Sequence, residues 1–187
     1  MFRDSEIADD IRSDMVAWRR DLHANPETAF EEHRTAQVVA DALKRMGVAV
    51  HTGLARTGVV GTLKNGDGPS IALRADMDAL DIVELGSAPH RSQREGKMHG
   101  CGHDGHTAML LGAAAQLARS KPFKGTVHFV FQPAEENEGG GREMVEDGLF
   151  DRFPADAVYG MHNIPAIPRG KFSIRTGVAT AWLDTFE

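Results

Sequence analysis

The densest group of side chains able to do chemistry lies at residues 99–106, which read HGCGHDGH. This group contains Cys101, the only cysteine of the chain, and three of its nine histidines. A second dense group, PAEE at residues 133–136, supplies two adjacent carboxylates. Cysteine, histidine and glutamate are the ligands that a borderline-soft divalent metal prefers. Glycines between them let the backbone turn tightly around an ion, so these residues predict a metal site.

We interpret Cys101 and His103 as metal ligands. Two other interpretations of the cysteine stay open: a lone buried residue, the commonest state of a free cysteine, and a nucleophile activated by a histidine. The surrounding glycines and histidines argue against the first, and the second does not by itself need a pair of glutamates. For His99 and His106 the sequence supports only hydrogen bonds within the loop.

The glutamate pair follows an apolar stretch at 127–131 that predicts a strand. Adjacent glutamates are usually solvated surface, but the end of a strand favours a functional role. Two different roles are available to Glu135 and Glu136. One carboxylate can bind a metal, while the other stays off the metal and takes a proton from the attacking water.

Three more polar side chains follow predicted strands. Asp76 and Asp78 are either part of a turn or cap, or they orient a metal-binding histidine. His162 is either a hydrogen-bonded core histidine or a ligand, and its place after a strand favours the ligand. The glycines at 139–141 are either an anion cradle at a helix start or a flexible entry to that helix.

Helices that could position these groups are predicted from apolar residues at steps of three and four. The first runs from Ile7 to Leu22, with Asp4 or Ser5 as its cap. The second runs over 31–46, with a capping box that begins at Thr28 and an end at Gly47. Two more are predicted at 107–120 and 142–149.

Strands are predicted at 48–50, 59–63, 71–73, 127–131 and 157–160. The sequence NGDG at 65–68 predicts a hairpin between the second and third strands. Residues 171–175 alternate like a further strand, and residues 181–187 begin another that the chain end interrupts. Alternation of strands and helices predicts an α/β fold with a mostly parallel sheet flanked by helices. In such sheets ligands bind at the carboxyl ends of the strands, where the four chemical segments would meet.

Bulk composition excludes several classes of protein. The chain has 187 residues, 41% hydrophobic and 26% charged, with a net charge of -6 and no basic stripe, so nucleic acid is not an expected partner. No apolar run approaches the ~18 residues of a membrane span. One cysteine rules out an internal disulfide. The polar N-terminus has no signal-peptide core, and we expect a cytoplasmic location.

With these residues in hand, the chain resembles the N-acyl-amino-acid amidohydrolases of the hippurate hydrolase type. They belong to the aminoacylase/carboxypeptidase superfamily of two-metal peptidases. The resemblance runs from Arg19 to the last residue and is highly specific when its motifs are taken together. The motifs are RRDLHANPE at 19–27, LRADMDAL at 73–80, MHGCGHDGH at 98–106, QPAEE at 132–136 and GMHN at 160–163.

The resemblance implies a role for each site residue. The metal ligands would be Cys101, His103, Glu136 and His162, with Cys101 shared between two ions. Glu135 would be the general base, and Asp78 would orient the metal site. The cofactors would be two divalent ions, zinc or manganese, with cobalt or nickel as alternatives. The partner would be a small N-acyl amino acid, cleaved to a carboxylic acid and an amino acid.

The resemblance also implies that residues 1–187 are the N-terminal part of a two-metal exopeptidase-like catalytic domain. Members of the family continue with a lid and dimerisation domain, and then supply one more histidine ligand. We therefore expect a truncated chain with little or no activity, and homo-oligomers only of a longer form that carries the lid. Asp81 departs from the proline that the family commonly has there. Two alternatives remain: a non-catalytic metal-binding remnant, and a cysteine-nucleophile hydrolase.

Overall fold

The computed structural model describes residues 7–178, which form a sheet with helices on both faces. The helices are α1 (Asp9–Ala24), α2 (His33–Arg45), α3 (His103–Ser120), α4 (Gly140–Glu146) and α5 (Leu149–Arg152). The strands are β1 (Ala49–Leu54), β2 (Gly58–Asn65), β3 (Ser70–Asp76), β4 (Gly125–Gln132) and β5 (Ala157–Gly160). The predicted α/β class with a helix-flanked sheet is confirmed.

The five strands lie in the order β1-β2-β4-β3-β5. Strand β3 pairs in parallel with both β4 and β5, as the alternation of strands and helices predicts. Strands β1 and β2 are antiparallel to each other, and β2 is antiparallel to β4. The sheet is therefore mixed, with its parallel part confined to the three strands that carry the chemical segments.

The hairpin predicted between β2 and β3 is wrong, because β4 lies between them. The turn still reverses the chain, but it crosses over the start of β4, where Asn65 is opposite Gly125. A Cβ atom at Gly125 would collide with the carbonyl oxygen of Pro69, so only glycine allows this crossing. Asn65 also donates from its side-chain nitrogen to the carbonyl of Phe123, which fixes the loop before β4.

Alternate residues of β4 face two separate hydrophobic clusters. Phe129 and Phe131 are fully buried on the face covered by α2 and α3, with Leu43 and Leu111. Val130 faces the opposite side, where Met144 of α4 packs. Such alternation is what a strand buried on both faces requires. The central strands therefore hold the site on a rigid base.

Several predicted helix ends differ from the structure. Helix α1 begins at Asp9 after Ala8, and the predicted caps Asp4 and Ser5 lie outside the described residues. The predicted capping box at Thr28 is absent from the described start of α2. Instead the carboxylate of Glu27 accepts the backbone N–H groups of Arg34 and Thr35, at 3.1 and 2.8 Å. The end of α2 at Gly47 is confirmed, with φ of 74°.

Two predictions for the C-terminal part of the chain differ from the structure. The predicted helix at 142–149 is two short helices, because Gly148 in the left-handed region (φ 85°) separates α4 from α5. Residues 171–175 do not form the predicted strand. The strand predicted at 181–187 lies outside the described residues. Among the helices of the described chain, none combines the length and the apolar character needed to cross a bilayer.

Candidate metal centre

The three parallel strands end at one edge of the sheet, and each is followed by predicted site residues. Asp76 is opposite Gln132 at the ends of β3 and β4. Asp78 follows β3 by two residues, Glu135 follows β4 by three, and His162 follows β5 by two. The sheet register thus brings together three chain segments that are far apart in sequence.

The fourth segment enters through the start of α3. Gly102 adopts a left-handed conformation (φ 95°) before this helix, which begins at His103, one turn earlier than the predicted Thr107. His103 and His106 are therefore three residues apart on one helix and share a face. The hydroxyl of Thr107 donates to the backbone carbonyl of Asp76 at 2.9 Å, which ties the helix to the end of β3.

The predicted ligands lie close together. The ligand atoms of Cys101, His103 and His162 are within 4.8 Å of one another, and so are those of His103, Glu135 and Glu136. Sγ of Cys101 is 3.3 Å from Nε2 of His162. Nε2 of His103 is 3.6 Å from Oε1 of Glu136. Asp76, His103 and His106 form a third such group, which is fully buried.

The donor atoms fit a divalent metal. Among the described residues, Nε2 of His103 and Oε1 of Glu136 are buried atoms without a hydrogen-bond partner. Buried polar atoms are normally satisfied, so an orphaned pair facing each other fits the coordination of a cation. Neighbouring ligands of a tetrahedral zinc stand about 3.4 Å apart for Zn–N and Zn–O bonds of about 2.1 Å. The 3.6 Å and 3.3 Å separations are close to this spacing.

Asp78 connects two of the predicted ligands. Nδ1 of His103 donates to the backbone carbonyl of Asp78 at 2.9 Å and lies 3.2 Å from its Oδ1. Oδ2 of the same carboxylate accepts the backbone N–H of Glu136 at 3.0 Å. With its proton on Nδ1, the neutral imidazole presents the lone pair of Nε2, as metal-binding histidines require.

His106 links the end of β3 to the segment after β5. Its Nδ1 is 2.6 Å from Oδ1 of Asp76, and its Nε2 contacts both the backbone N–H and the side-chain oxygen of Asn163. The residue next to Asn163 is His162, whose backbone is thereby held beside the site. His106 thus binds across segments, beyond the loop-internal hydrogen bonds that the sequence supports.

Asp76 is expected to stabilise the fold in a pH-dependent way. Burial by itself would raise the pKa of Asp76, but the hydrogen bond from His106 and the charges of His103 and Arg74 lower this pKa from 3.8 to about 2. A lowered folded-state pKa means that ionised Asp76 contributes about 2 kcal/mol above about pH 4, lost as the pH falls towards about 2. In chelator, urea unfolding should show Asp76→Asn less stable near neutral pH. A difference from the unmodified chain that did not shrink in acid would contradict this.

Two features of the site carry little or no signal in the sequence. His23 of α1 binds the buried carboxylate of Asp104 at 2.9 Å and so holds α3 from behind. Glu32 is a completely buried carboxylate that accepts the backbone N–H of Ala134. An acidic pair at the start of a helix is normally exposed to solvent. The residue types therefore do not predict that Glu32 is buried. The spacing of RRDLHANPE is the available signal for His23.

His99 does not bind within its loop as expected. Both of its ring nitrogens are buried and lack a hydrogen-bond partner among the described residues. Burial lowers the pKa of His99 to about 4, against the raising effect of Asp104, so the ring is neutral near pH 7.

Gly139, the first of the three glycines, has φ of 69° and precedes α4, while the N–H of Gly140 donates to the carbonyl of Ala134. The N–H of Gly140 therefore serves the turn and is not free for an anion.

The fold and the group of candidate ligands are typical of a metallopeptidase, and comparison with known proteins gives the family. The sequence profile of peptidase family M20/M25/M40 matches residues 72–183. The chain belongs to this family, which confirms the resemblance drawn from its motifs.

Individual relatives agree with this assignment. The chain is 46% identical over 179 residues to a hippurate hydrolase of Campylobacter jejuni, covering 95% of this chain and 46% of that protein. It is 41% identical to an N-acetyl-L-cysteine deacetylase of Bacillus subtilis, covering 95% and 42%. The crystal structure of the Bacillus subtilis YXEP protein, described as a dinuclear metal binding peptidase, superimposes with a TM-score of 0.81 at 40% identity, covering 86% and 46%. The chain thus spans less than half the length of these relatives.

Proposed function

We propose that the protein hydrolyses the amide bond of N-acyl amino acids with the help of divalent metal ions. The observation that carries this proposal is the orphaned pair of His103 and Glu136, beside Cys101, His162 and the exposed carboxylate of Glu135. The names of two relatives, a hippurate hydrolase and an N-acetyl-L-cysteine deacetylase, support N-acyl amino acids as the substrate class.

In this proposal Cys101, His103, Glu136 and His162 hold the metal. The Cys101 thiol contacts both His162 and Glu136, as a ligand shared between two ions would. Asp78 orients His103 and the backbone of Glu136 at once. The thiolate favours zinc and the carboxylates admit manganese, with cobalt or nickel as further possibilities.

Glu135 is the proposed general base. Its side chain is exposed, while that of Glu136 is 21% exposed, so Glu135 is the carboxylate that an attacking water can reach. It takes a proton from this water and later delivers it to the leaving amine. When bound, the metal ions polarise the scissile carbonyl and lower the pKa of the attacking water.

We propose further that residues 1–187 supply the N-terminal part of the catalytic domain of a cytoplasmic enzyme. The coverage of 46% of the hippurate hydrolase supports a complete enzyme about twice as long. The rest would supply a lid and dimerisation domain and one more histidine ligand. Homo-oligomers are then a property of the longer form, and the substrate is its small-molecule partner.

Neither alternative function is favoured. A nucleophilic cysteine needs a lowered pKa. Burial, a hydrogen bond with Glu136 and neighbouring carboxylates instead raise the pKa of Cys101 to about 12. A non-catalytic metal-binding remnant would not need an exposed carboxylate such as that of Glu135 beside the proposed ligands.

The test is hydrolysis of hippurate and N-acetyl amino acids with added zinc or manganese. The 187-residue chain should be compared with a version extended to the length of its relatives. The extended protein should hydrolyse these substrates and lose the activity in chelator, while the shorter chain should be far less active. An extended protein that binds metal but cleaves none of them would contradict the proposal.

A further inference from the structure

Glu32 is a charged residue in a position that charged residues rarely occupy. It immediately precedes α2 and is 0% exposed. Its Oε1 accepts the backbone N–H of Ala134 at 2.9 Å, and its Oε2 accepts the hydroxyl of Thr57 at 2.7 Å. Burying a carboxylate is costly unless it is hydrogen-bonded, so both bonds are part of the reason that it is tolerated there.

The residue that Glu32 binds has an unusual backbone. Ala134 has φ of 50°, in the left-handed region that a Cβ atom disfavours. Its N–H is held by Glu32, and its carbonyl accepts the N–H of Gly140 at 2.9 Å. A strained conformation of this kind persists only where its surroundings hold it, and such residues cluster at functional sites. Here the residue that follows the strain is Glu135.

The next two amides of the same turn are held by Asp78. It accepts the N–H of Glu136 at 3.0 Å and also binds the backbone of Glu135. Two buried carboxylates from distant segments therefore fix three consecutive amides of the turn at residues 134–136. Asp78 also contacts His103, so its effect on the metal ligands cannot be separated from its effect on the turn. Glu32 makes no described hydrogen bond to a predicted metal ligand: its side chain binds Thr57 and Ala134, and it meets Asp78 only through the repulsion between their charges.

We propose that Glu32 is a positioning residue that holds Ala134 in its left-handed conformation and thereby aims Glu135 at the attacking water. This inference rests on the proposed function, in which Glu135 is the general base. The effect of Glu32 is geometric, because its two partners are hydrogen-bond donors that an uncharged acceptor could also satisfy. Burial raises the pKa of Glu32 despite the opposing hydrogen bonds of Thr57 and Ala134, which agrees with a site that does not depend on a negative charge.

The test compares two conservative variants. Glu32→Gln keeps the length of the side chain and an acceptor for Ala134, while its amide group can donate to the hydroxyl of Thr57. Glu32→Asp keeps the charge but is one methylene too short to reach both partners. Positioning by geometry predicts that Gln preserves function and Asp does not. A role of the charge alone predicts the opposite order, and both variants are mild enough to fold.

A matched control is available in Glu27. Its carboxylate also accepts two backbone N–H groups, those of Arg34 and Thr35, but it binds the start of α2 instead of the turn at 134–136. Glu27→Ala should lower the melting temperature and leave kcat and zinc affinity within about threefold of the unmodified protein. This variant separates a general loss of stability from a specific displacement of Glu135.

Three measurements follow on the same set of variants. Amide hydrogen exchange in the 187-residue chain should accelerate at residues 134–136 in Glu32→Asp and not in Glu27→Ala. In the extended protein, Glu32→Asp should lower kcat by about 10- to 100-fold with KM nearly unchanged, as loss of a supporting contact typically does. Zinc affinity, measured by competition with a chelator, should fall less than kcat because Asp78 still holds Glu136.

The outcomes separate this inference from the proposed function. If the unmodified protein neither binds zinc nor cleaves N-acyl amino acids, the proposed function is wrong. If the unmodified protein does both, but Glu32→Asp matches Glu32→Gln in kcat and amide exchange, the inference alone is wrong. Faster exchange at 134–136 together with the kcat loss in Glu32→Asp, and near-normal behaviour of Glu32→Gln, would support it.

Discussion

Replacing Glu135 by glutamine is expected to lower kcat by about 10²- to 10⁴-fold, the contribution typical of a general base. The substitution keeps the shape of the side chain but removes its ability to take a proton. Because Glu135 is exposed and is not needed to complete the orphaned pair of His103 and Glu136, the metal content should stay the same. The measurement is steady-state hydrolysis of hippurate by the extended protein, with metal determined by elemental analysis.

Two neighbouring glutamates provide the controls for this substitution. Glu136→Gln should lose metal as well as turnover, because Oε1 of Glu136 faces Nε2 of His103 at 3.6 Å. Glu138→Gln changes an exposed carboxylate three residues beyond Glu135 and should leave both quantities unchanged. A Glu135→Gln variant with near-normal kcat would show that another group is the base. Equal metal loss in Glu135→Gln and Glu136→Gln would show that both carboxylates are ligands.

The position of the site could be predicted because it depends on one rule about parallel strands. Strands β3, β4 and β5 run in the same direction, so the residues after their ends must meet at one edge. Short apolar stretches were enough to predict these strands. Asp78, Glu135 and His162 lie two or three residues after the strand ends, so their positions were predicted as well. The glycine before His103 then turns the fourth segment into the same edge.

The order of the strands could not be predicted in this way. The NGDG sequence at 65–68 is a local signal that fixes a reversal of the chain, but it does not say how far apart the two strands lie. The insertion of β4 between β2 and β3 depends on pairings such as Asn65 with Gly125, which are 60 residues apart. The turn residues alone predict that β2 and β3 are neighbours. The long-range pairing of both strands with β4 determines the observed order instead.

The supporting residues of the site were hidden for a different reason. Ligands are recognisable by type, since cysteine and histidine are rare and chemically distinct. Glu32 and Asp104 are common acidic residues, and their roles arise only from burial, at 0% and 1% exposure. Burial of a charge contradicts the usual preference of these residues, so sequence patterns assign them to the surface.

Zinc binding is expected to depend on pH through Cys101. Burial, the hydrogen bond with Glu136 and the charges of Glu136, Asp76 and Glu135 raise the pKa of this thiol from 9.0 to about 12. In the metal-free protein the thiol therefore stays protonated throughout the neutral range, whereas a metal binds the thiolate. The first zinc ion that binds Cys101 must release this proton, so its association constant should rise about tenfold per pH unit.

The direction of this effect follows from the raised pKa. Because the pKa is raised, release of the Cys101 proton persists at every pH below about 12. His103 adds a second proton: burial lowers the pKa of this imidazole, but the hydrogen bond with Asp78 and nearby carboxylates outweigh burial and raise the pKa above its ordinary value. Below that pKa a second proton must leave before zinc can bind. The slope should therefore be one proton above the pKa of His103 and steeper below that pKa.

Cys101→Ala should remove one proton from this slope and weaken zinc binding by more than the 10- to 100-fold typical of lost supporting contacts. His162→Ala removes another predicted ligand, 3.3 Å from the Cys101 sulfur, and should weaken binding while keeping the cysteine proton in the slope. Competition titrations with a chelator at several pH values, with calorimetry in buffers of different ionisation enthalpy, count the protons released. Because the two variants both lose a ligand but differ in the thiol, only a cysteine ligand predicts different slopes for them. Equal slopes in the unmodified chain and Cys101→Ala would mean that zinc does not bind the sulfur.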